Sequence, residues 1–580
     1  MSGQSVLEKR ARLVQRLVYL GFLVVASRLF YWQVAKAAEL QLAVDRQSTN
    51  LVTIQGSRGL IYTSDNHLLV GNQPAFDLYV NRSELTIPEK DVVEKLIRQY
   101  VQLLATDLTQ ESSFTRLFFE TQIPQLEKSL VTSFEKSPNW LLLISDVPTL
   151  YKESVLKMRI AGLHFIESET RVYPEASMAA HLTGFVGKDS DGNRKGYFGI
   201  EGALEKELAG DTKQVRYRQD ASGSFLADQK MDFKNLNGRD ITLTIRRDIQ
   251  HIAQEALNKG IERSISQAGE VVIIDPKTGA LLALATWPQY NQAHFLEYST
   301  QEYKNPSITS LYEPGSTFKV LTLATGVELG LVNSQTECTK CAGPRVIAGH
   351  TINTWNKQFH ANITMIEALR QSDNTAMVFV AEQIGADRLL ESLKKFGIGE
   401  PMQIELQEDT SSPLPSKIGP VELATISFGQ GILTNSFQMA RAVGAIANDG
   451  VMMKTRVVQS VYDPQTQQQH QRPPETMRRV ISSETAHEMV QMMVHSASKR
   501  QNWLTKNYLV AGKSGTSQIP SPDGGYKEQG TIASYIGFAP ADDPKFVMLV
   551  KLTEPKLDSW GETTAVPIWY EIAEKIILLL

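Results

Sequence analysis

The sequence Val271-Val-Ile-Ile-Asp-Pro-Lys-Thr-Gly-Ala-Leu-Leu-Ala-Leu-Ala-Thr286 decides the fold of the C-terminal part of this chain. Its first half predicts a buried strand that ends in an Asp-Pro-Lys-Thr-Gly turn, and residues 280–286 predict the return strand of a hairpin. Near the C-terminus, residues 533–538 and 545–552 predict a second strand pair around a turn. The segment 310–500 between the two pairs is largely helical in pattern. Strands at both ends with helices between them predict an α+β fold, with one antiparallel sheet closed by distant segments and flanked by helices.

The sequence before this hairpin divides into a long mixed region, a strand and a helix. Residues 241–245 alternate between apolar and polar and predict a strand, and residues 247–259 have the spacing of an amphipathic helix. Residues 36–235 mix strand-like and helical runs and carry no strong catalytic signature. The clearest elements in that region are predicted at 51–54, 76–80 and 89–104. We therefore predict a non-catalytic mixed α/β domain at 36–235 and a second domain at 236–580.

Composition places the chain among ordinary folded proteins. It has 580 residues, 42% of them hydrophobic and 21% charged, which predicts three or four domain-sized units and excludes a disordered, collagen-like or multi-span membrane chain. The net charge of 59 − 63 = −4 gives no basic field for nucleic acid, so no nucleic-acid partner is predicted. The sequence contains no HExxH motif and no four-ligand Cys/His cluster, so no metal site is predicted either.

A stretch near the N-terminus has the composition of a transmembrane helix. Ten of the residues 17–35 are Leu, Val or Phe, and they outweigh the cost of Arg28. Tyr31 and Trp32 stand where an interfacial aromatic pair is expected. Basic residues dominate the segment before the stretch, so the positive-inside rule predicts a cytoplasmic tail at 1–16 and an extracytoplasmic, periplasmic remainder. The chain is thus predicted to be a single-pass protein of the cytoplasmic (inner) membrane.

A cleaved signal peptide is the alternative interpretation of this stretch. Its apolar region would be residues 17–27, and Ala35-Lys36-Ala37 would be a small-x-small cleavage site. Arg28 and the two bulky aromatic residues between these features favour a retained anchor. Both interpretations place the bulk of the chain outside the cytoplasm.

The first motif that could carry chemistry is Ser316-Thr-Phe-Lys319, which follows Pro314-Gly315. On a helix, positions i and i+3 share a face, so the lysine amine could reach the serine hydroxyl. A hydroxyl is a poor nucleophile until a base removes its proton. A lysine becomes such a base at neutral pH only when burial or cationic neighbours lower its pKa. The motif alone is weak, because other Ser-x-x-Lys matches begin at Ser133, Ser154, Ser392 and Ser496.

Two further motifs follow the first at domain-scale distances. Ser372-Asp-Asn374 offers a relay hydroxyl and an amide, and Lys513-Ser514-Gly515-Thr516 offers a cation and hydroxyls suited to a substrate carboxylate. The decoys Ser64-Asp-Asn66 and Lys277-Thr-Gly279 show that each motif alone is weak. Only the motifs that begin at Ser316, Ser372 and Lys513 occur in the order Ser-x-x-Lys, Ser-x-Asn, Lys-Ser/Thr-Gly. Penicillin-binding proteins and class A β-lactamases share this order.

With these motifs the chain resembles a class B penicillin-binding protein, a monofunctional peptidoglycan D,D-transpeptidase, over nearly its whole length. The stretches that carry the resemblance to the transpeptidase domain are 272–285, 313–319, 427–431, 512–516 and 533–540. Those that resemble the family's non-catalytic pedestal (dimerisation-type) domain are 171–174, 180–184 and 199–202. The Arg58-Gly59 segment departs from the family pattern at Thr63 and Ser64, and Ala176 stands where the family usually has a glycine. Both departures lie in the pedestal, outside the catalytic motifs. The resemblance implies a fold of the penicillin-binding, serine β-lactamase-like type.

The resemblance also implies a role for each motif residue. Ser316 would be the nucleophile, Lys319 the general base and Ser372 a proton relay. Asn374 would hold the donor peptide, and Lys513, Ser514, Gly515 and Thr516 would bind its terminal carboxylate. The backbone N–H groups of Ser316 and Thr516 would form the oxyanion hole. No cofactor is needed.

Substrates and partners follow from the same resemblance. The donor would be a peptidoglycan stem peptide ending in D-Ala-D-Ala, the acceptor an amine of a neighbouring stem peptide, and β-lactams would acylate Ser316. Class B enzymes work with a multispanning glycosyltransferase of the division or elongation machinery. The Gly184–Gly187 and 513–525 stretches favour the septal, division type.

Other classes of protein can carry the same three motifs. A class A β-lactamase would need a Glu-x-x-x-Asn sequence between the second and third motifs, and 375–512 contains none. A D,D-carboxypeptidase stays open, because the acceptor site has no short motif, although the membrane anchor and pedestal favour a cross-linking enzyme. The intact motif residues disfavour a non-enzymatic scaffold that keeps the fold. A bifunctional glycosyltransferase is disfavoured, since the 200 residues before the catalytic domain resemble the pedestal.

Several single residues also allow a catalytic or ligand-binding interpretation that we consider weaker than a structural one. Cys338 and Cys341 are expected to form a local disulfide or to remain two idle thiols in an extracytoplasmic loop. His350 is expected to make ordinary loop hydrogen bonds. We expect Glu201 to form a salt bridge and His181 to pack inside the pedestal.

Overall fold

The computed structural model describes residues 3–40, 49–107, 128, 131, 140–189, 193–218, 236–499, 502–521 and 524–580. The chain forms two compact units, one of residues 1–56 and 210–237 and the other of residues 57–209 and 238–580. Residue 235, where the predicted domain boundary falls, and residues 522–523 of the 513–525 stretch lie outside the described residues.

The first unit contains the predicted membrane helix. Helix α1 is Gly3–Phe30 and continues as a π-helical turn, Tyr31–Ala35. Within it Lys9–Ala35 is long and apolar enough to cross a membrane once, in agreement with the anchor predicted at 17–35. Strand β1, Thr49–Gln55, pairs antiparallel with β8, Thr212–Arg218, so the strand predicted at 51–54 is confirmed.

The second unit begins with a sheet that carries two helices. Strand β3 is central, pairing with β2, β4 and β5, and helices α2 and α3 bury apolar side chains such as Leu96 and Tyr151 against it. The strand predicted at 76–80 and the helix predicted at 89–104 are therefore confirmed. The elements of this part are β2 Ile61–Tyr62, β3 Leu68–Asn81, α2 Glu89–Asp107, β4 Trp140–Val147, α3 Thr149–Lys157, β5 Leu163–Val172, α4 Ala180–Thr183, β6 Phe185–Lys188, β7 Arg194–Tyr197, α5 Gly199–Ala203 and α6 Glu205–Leu208.

The rest of the second unit is built on another sheet and contains most of the described helices. Its elements are β9 Asp240–Leu243, α7 Arg247–Ser264, β10 Ala268–Ile274, β11 Leu281–Trp287, α8 Thr300–Tyr303, α9 Pro306–Thr309, α10 Lys319–Glu328, β12 Arg345–Ile347, β13 His350–Ile352, α11 Met365–Gln371, α12 Asn374–Ile384, α13 Ala386–Lys395, α14 Pro420–Ile426, α15 Ser436–Ala447, β14 Val451–Met453, β15 Val458–Asp463, β16 Gln468–Gln471, β17 Thr476–Arg479, α16 Ser483–Ala497, α17 Trp503–Asn507, β18 Ala511–Pro520, β19 Tyr526–Ala539, β20 Phe546–Thr553 and α18 Ala565–Ile576.

The predicted antiparallel sheet is present with five strands in the order β11-β10-β20-β19-β18. Strand β10 pairs with β11 as the predicted hairpin and with the distant β20. Because side chains alternate along a strand, Val271 and Ile273 pack with helices α7 and α18 on one face. Val272 and Ile274 pack on the other face with the large core that includes α10, α12 and α15. The sheet is therefore buried on both sides, and β18 is its edge strand.

Side-chain caps fix where several helices of this core begin. Asp373 accepts hydrogen bonds from the first turn of α12, Asn435 from that of α15, and Ser482 from that of α16. Each satisfies an N–H group that the helix itself leaves without a partner. The Asp373 cap lies inside the second sequence motif, Ser372-Asp-Asn374.

The segment 310–500 is less uniformly helical than its pattern predicts. It holds helices α10–α16, but also the six short strands β12–β17. Strand β15 pairs with β9, and β9 pairs with β2, so this segment extends the N-terminal sheet of the unit. Strands β12 and β13, like β15 and β16, pair across short turns. Most of the six strands have only three or four residues, too few to show a clear alternation of apolar and polar side chains.

Candidate functional site

The first motif forms a tight turn that leads directly into a helix. Gly315–Phe318 is a single 3-10 turn and α10 begins at Lys319. In a 3-10 turn residues i and i+3 lie above one another, so Ser316 and Lys319 are on the same side, as predicted. Thr317 Oγ1 donates to the carbonyl oxygen of Pro314 at 2.7 Å and closes the turn. Ser316 is half-buried at the surface of the turn.

Lys319 connects the first motif to the second. Its fully buried Nζ donates to the carbonyl oxygen of Ser372 and to Asn374 Oδ1, both at 2.7 Å, and to Ser372 Oγ at 3.1 Å. Burial, reinforced by the charge of Lys513, lowers the pKa of Lys319 well below its usual value, while the charge of Asp373 opposes this shift. Burial therefore favours the neutral amine, which is the form that can accept a proton.

The second motif lies between the end of α11 and the start of α12. Ser372 adopts the left-handed conformation, with φ 58°, which is uncommon for a residue with a side chain. Asp373 Oδ1 accepts hydrogen bonds from the backbone N–H groups of Thr375 (2.7 Å) and Ala376 (3.1 Å). Asn374 Nδ2 donates to the carbonyl oxygen of Asn353 at 2.9 Å.

The third motif lies on β18, the edge strand of the five-stranded sheet. Lys513 is 2% exposed, and its Nζ donates to the carbonyl oxygen of Ser514 at 2.8 Å. Burial and the charge of Lys499 lower the pKa of Lys513 to about 7, against an opposing effect of Glu562. Ser514 and Thr516 are half-buried, and Thr516 Oγ1 accepts a hydrogen bond from Gly561 N at 3.0 Å.

Gly515 lets this strand closely approach the turn Gly315–Phe318. This turn carries Ser316, the predicted nucleophile, and is called the nucleophile turn below. A Cβ atom at position 515 would lie 2.9 Å from Thr317 Cγ2 and 3.2 Å from the carbonyl oxygen of Pro314. It would also lie 2.7 Å from Ser534 Oγ on the neighbouring strand. A residue larger than glycine would therefore separate β18 from Ser316.

The structure thus brings all eight sequence-predicted site residues to one place, where α10, the α11–α12 junction and β18 meet. Asp373 was not singled out as a functional residue, although it is buried between Ser372 and Asn374 and its charge acts on Lys319. The signal that could have revealed it is an Asp directly before an apolar helical run, which is typical of an N-cap.

The residues with weaker catalytic interpretations have structural contacts. Cys338 and Cys341 are buried and form a disulfide. Glu201 is buried and accepts hydrogen bonds from Arg58 Nε at 2.6 Å and Arg171 Nε at 2.8 Å, so the expected salt bridge is confirmed.

His181 differs from the expectation that it packs inside the pedestal. One ring nitrogen lies 2.8 Å from Thr286 Oγ1 and the other 2.9 Å from the carbonyl oxygen of Glu302, and the ring packs edge-on against Tyr290. All three partners belong to the segment after residue 236. The spacing of the sequence around His181 could not show this, because the contacts come from distant residues.

Comparisons with known proteins agree with this geometry. A nucleophile turn, a buried lysine and a Lys-Ser-Gly edge strand on one antiparallel sheet define the class of serine acyl-transfer enzymes that penicillin acylates. Residues 269–574 match the family described as penicillin binding protein transpeptidase domain, and residues 53–243 match the penicillin-binding protein dimerisation domain. The chain belongs to the class B penicillin-binding proteins.

Individual relatives cover most of the chain. Stage V sporulation protein D of Bacillus subtilis is 29% identical over 559 residues, which are 94% of this chain and 82% of that protein. Peptidoglycan D,D-transpeptidase FtsI of Escherichia coli is 26% identical over 418 residues, 72% of this chain and 68% of that protein. The structure of penicillin binding protein 2X from Streptococcus thermophilus shares the fold with a TM-score of 0.70 at 21% identity, covering 91% of this chain and 80% of that one.

Proposed function

We propose that this chain is a peptidoglycan D,D-transpeptidase that cross-links stem peptides through an acyl-serine intermediate and that β-lactams inhibit by acylating the same serine. The observation that carries the proposal is the position of Lys319. Its buried amine contacts Ser372 and Asn374 while it shares the side of the turn with Ser316. Burial lowers the pKa of such an amine and favours its neutral form, which can accept the serine proton, whereas an exposed lysine stays protonated.

The acylation step assigns one role to each catalytic residue. Ser316 Oγ attacks the carbonyl carbon of the penultimate D-Ala as Lys319 takes the hydroxyl proton. The C–N bond to the terminal D-Ala then breaks, and Ser372 passes a proton to the leaving amine. The backbone N–H groups of Ser316 and Thr516 stabilise the oxyanion of the tetrahedral intermediate.

Binding residues hold the donor peptide for this attack. Lys513, Ser514 and Thr516 bind the terminal carboxylate, Gly515 allows the close approach of their strand, and Asn374 holds the donor amide. In the second half-reaction an amine from a neighbouring stem peptide attacks the acyl carbon, the ester bond to Ser316 Oγ breaks, and the proton that the amine loses passes to Ser316. The protein's own residues supply every proton transfer, so no cofactor or metal is required.

We also propose the placement of the chain in the cell. Residues 1–16 form a cytoplasmic tail, 17–35 a single anchor in the cytoplasmic (inner) membrane, 36–235 the non-catalytic pedestal and 236–580 the periplasmic transpeptidase domain. The charge distribution around the anchor supports this orientation, and the two matched families support the order of the domains. Relatives named FtsI support a septal role, in which a multispanning glycosyltransferase of the division machinery is the partner.

Labelling with a fluorescent penicillin tests the proposal. Full-length protein in membranes is incubated for hours as wild type, as Ser316→Ala and as Ser392→Ala, a control in which another Ser-x-x-Lys serine is changed. We expect a stable covalent band in the wild type and the control and none in Ser316→Ala. A band that decays within minutes would indicate a β-lactamase instead, and a missing wild-type band would contradict the proposal.

A further inference from the structure

Glu313, three residues before Ser316, is a buried carboxylate that the mechanism above does not use. It is 6% exposed. Its Oε1 accepts a hydrogen bond from Gly431 N at 2.9 Å, and its Oε2 accepts one from the hydroxyl of Tyr526 at 3.1 Å. Its backbone carbonyl oxygen accepts one from Ser517 Oγ at 2.7 Å. One residue therefore connects the nucleophile turn with two other segments of the fold.

The first of these segments is the loop before α15, which packs directly on the nucleophile turn. Gly315 N donates to the carbonyl oxygen of Gly429 at 3.0 Å, and Tyr312 and Thr434 exchange two backbone hydrogen bonds of 2.9 and 3.0 Å. A Cβ atom at position 429 would lie 2.2 Å from the carbonyl oxygen of Gly315. The backbone of this loop therefore packs closely against the backbone of the turn.

The second segment is the hairpin of β18 and β19. Ser517 follows the Lys513–Thr516 motif on β18, and Tyr526 is the first residue of β19. Both donate to Glu313, one to its backbone and one to its side chain. These two hydrogen bonds link the β18–β19 hairpin, which carries the Lys513–Thr516 motif, to the turn that carries Ser316.

Burying a carboxylate costs free energy unless donors satisfy it. Here the two groups that donate to the carboxylate, the backbone N–H of Gly431 and the hydroxyl of Tyr526, come from outside the turn. We propose that Glu313 is a positioning residue for Ser316, and that its hydrogen bond with Tyr526 keeps the nucleophile turn in register with the β18–β19 hairpin. This inference rests on the proposed acyl-serine function. Misplacing a reacting group by about 1 Å costs roughly 100-fold in rate. Breaking the hydrogen bond between Glu313 and Tyr526, called the clamp below, should therefore slow acylation.

Tyr526→Phe tests the clamp with the smallest change, because it removes only the hydroxyl. The control is Tyr462→Phe, since Tyr462 is exposed to the same degree (38% against 39%) and lies on β15. We would follow acylation of the full-length protein by fluorescent penicillin at several concentrations. The expected result is a roughly tenfold lower acylation rate at saturation in Tyr526→Phe, with the half-saturating concentration and Tm unchanged in both variants.

Glu313→Ala gives a second, independent readout. It removes both carboxylate acceptors, whereas a glutamine amide could still donate to the Tyr526 hydroxyl. If the two residues act as a unit, combining Glu313→Ala with Tyr526→Phe should slow acylation no more than Glu313→Ala alone.

Three results would overturn the inference. They are an unchanged acylation rate in Tyr526→Phe, a loss that only follows a lower Tm, and additive losses in the double variant. A wild-type protein that is not labelled would instead remove the proposed function, and the inference with it.

Discussion

The amine of Lys319 donates a 2.7 Å hydrogen bond to the backbone carbonyl oxygen of Ser372, a residue held in the left-handed conformation. That conformation costs roughly 1–3 kcal/mol for a residue with a side chain, so it persists only where neighbouring contacts hold it. Here Lys319 holds the carbonyl oxygen of Ser372, and the following residue, Asp373, caps the first turn of α12. The proposed base and the proposed relay are therefore positioned by each other.

Lys319→Arg should nearly abolish acylation. A guanidinium keeps the positive charge, but it remains protonated at any pH the protein survives and cannot accept a proton. General-base catalysis contributes roughly 100- to 10,000-fold, and we expect a loss of that size in the rate of labelling by fluorescent penicillin. Lys395→Arg is the control, because Lys395 ends another Ser-x-x-Lys sequence and is exposed. A Lys319→Arg variant that is labelled at the wild-type rate would exclude the lysine as the base.

Asp373→Asn should shift the pH dependence of acylation rather than remove the activity. The negative charge of Asp373 raises the pKa of Lys319. Without that charge the amine loses its proton at a lower pH, so the acid limb of the acylation rate should move to lower pH. Asparagine is as good an N-cap as aspartate, so helix α12 should keep its cap.

Asp373→Ala separates the charge from the cap. It should shift the same limb and also lower the stability by about 1 kcal/mol, the usual cost of a lost N-cap. The measurements are the acylation rate between pH 5 and 9 and the Tm of each variant. An acid limb that stays in place in both variants would show that Asp373 does not act on the base.

The catalytic fold follows from sequence where local pattern and burial agree. The hairpin of β10 and β11 is strongly apolar on both faces because helices cover both sides of the sheet, and such strands stand out as continuous apolar runs. The short strands β12–β17 do not stand out, because most of them have only three or four residues and so show little alternation of apolar and polar side chains. Ordered motifs located Ser316, Ser372 and Lys513, since their chemistry requires those residue types.

The contacts that tune the site could not be obtained in the same way. Three features depend on contacts between segments that are tens to hundreds of residues apart. They are the burial of Lys319, the effect of the Asp373 charge on the pKa of Lys319, and the hydrogen bond between Glu313 and Tyr526. Residue type alone does not distinguish a buried lysine from an exposed one, since Lys157, Lys395 and Lys499 also end Ser-x-x-Lys sequences and are exposed. His181 illustrates the same limit, because its partners lie more than a hundred residues further along the chain.

Gly515→Ala should impair acylation more than it impairs folding. The added methyl group would lie 2.9 Å from Thr317 Cγ2 and 2.7 Å from Ser534 Oγ, so β18 must move away from the nucleophile turn. We expect a loss of roughly 100-fold in the acylation rate and a destabilisation of about 1–3 kcal/mol from overpacking. Gly343→Ala is the control, since nothing lies within 4 Å of a Cβ there. Wild-type acylation by Gly515→Ala would mean that the close approach has no catalytic role.

Glu201→Gln should destabilise the protein and leave the chemistry intact. The carboxylate is buried and pairs with Arg58 and Arg171, which are also largely buried. Removing one partner of such a group leaves charge uncompensated and costs about 3–5 kcal/mol, which should appear as a clearly lower Tm. Glu255→Gln breaks only an exposed pair with Lys259 and should leave Tm unchanged. A large fall in acylation by folded Glu201→Gln below its Tm would point to a catalytic role instead.

His181 should make the folded protein sensitive to acid. Burial lowers its pKa from 6.5 to about 4, whereas the unfolded chain binds the proton near 6.5. The contribution of His181 to the free energy of unfolding is therefore fully present above pH 6.5. About 3 kcal/mol of it is lost as the pH falls toward 4. His181→Gln cannot take up the proton and should lose less Tm between pH 7 and 5 than the wild type. His67→Gln, which changes an exposed histidine, should follow the wild-type curve. Equal acid sensitivity in all three proteins would show that other groups cause the loss.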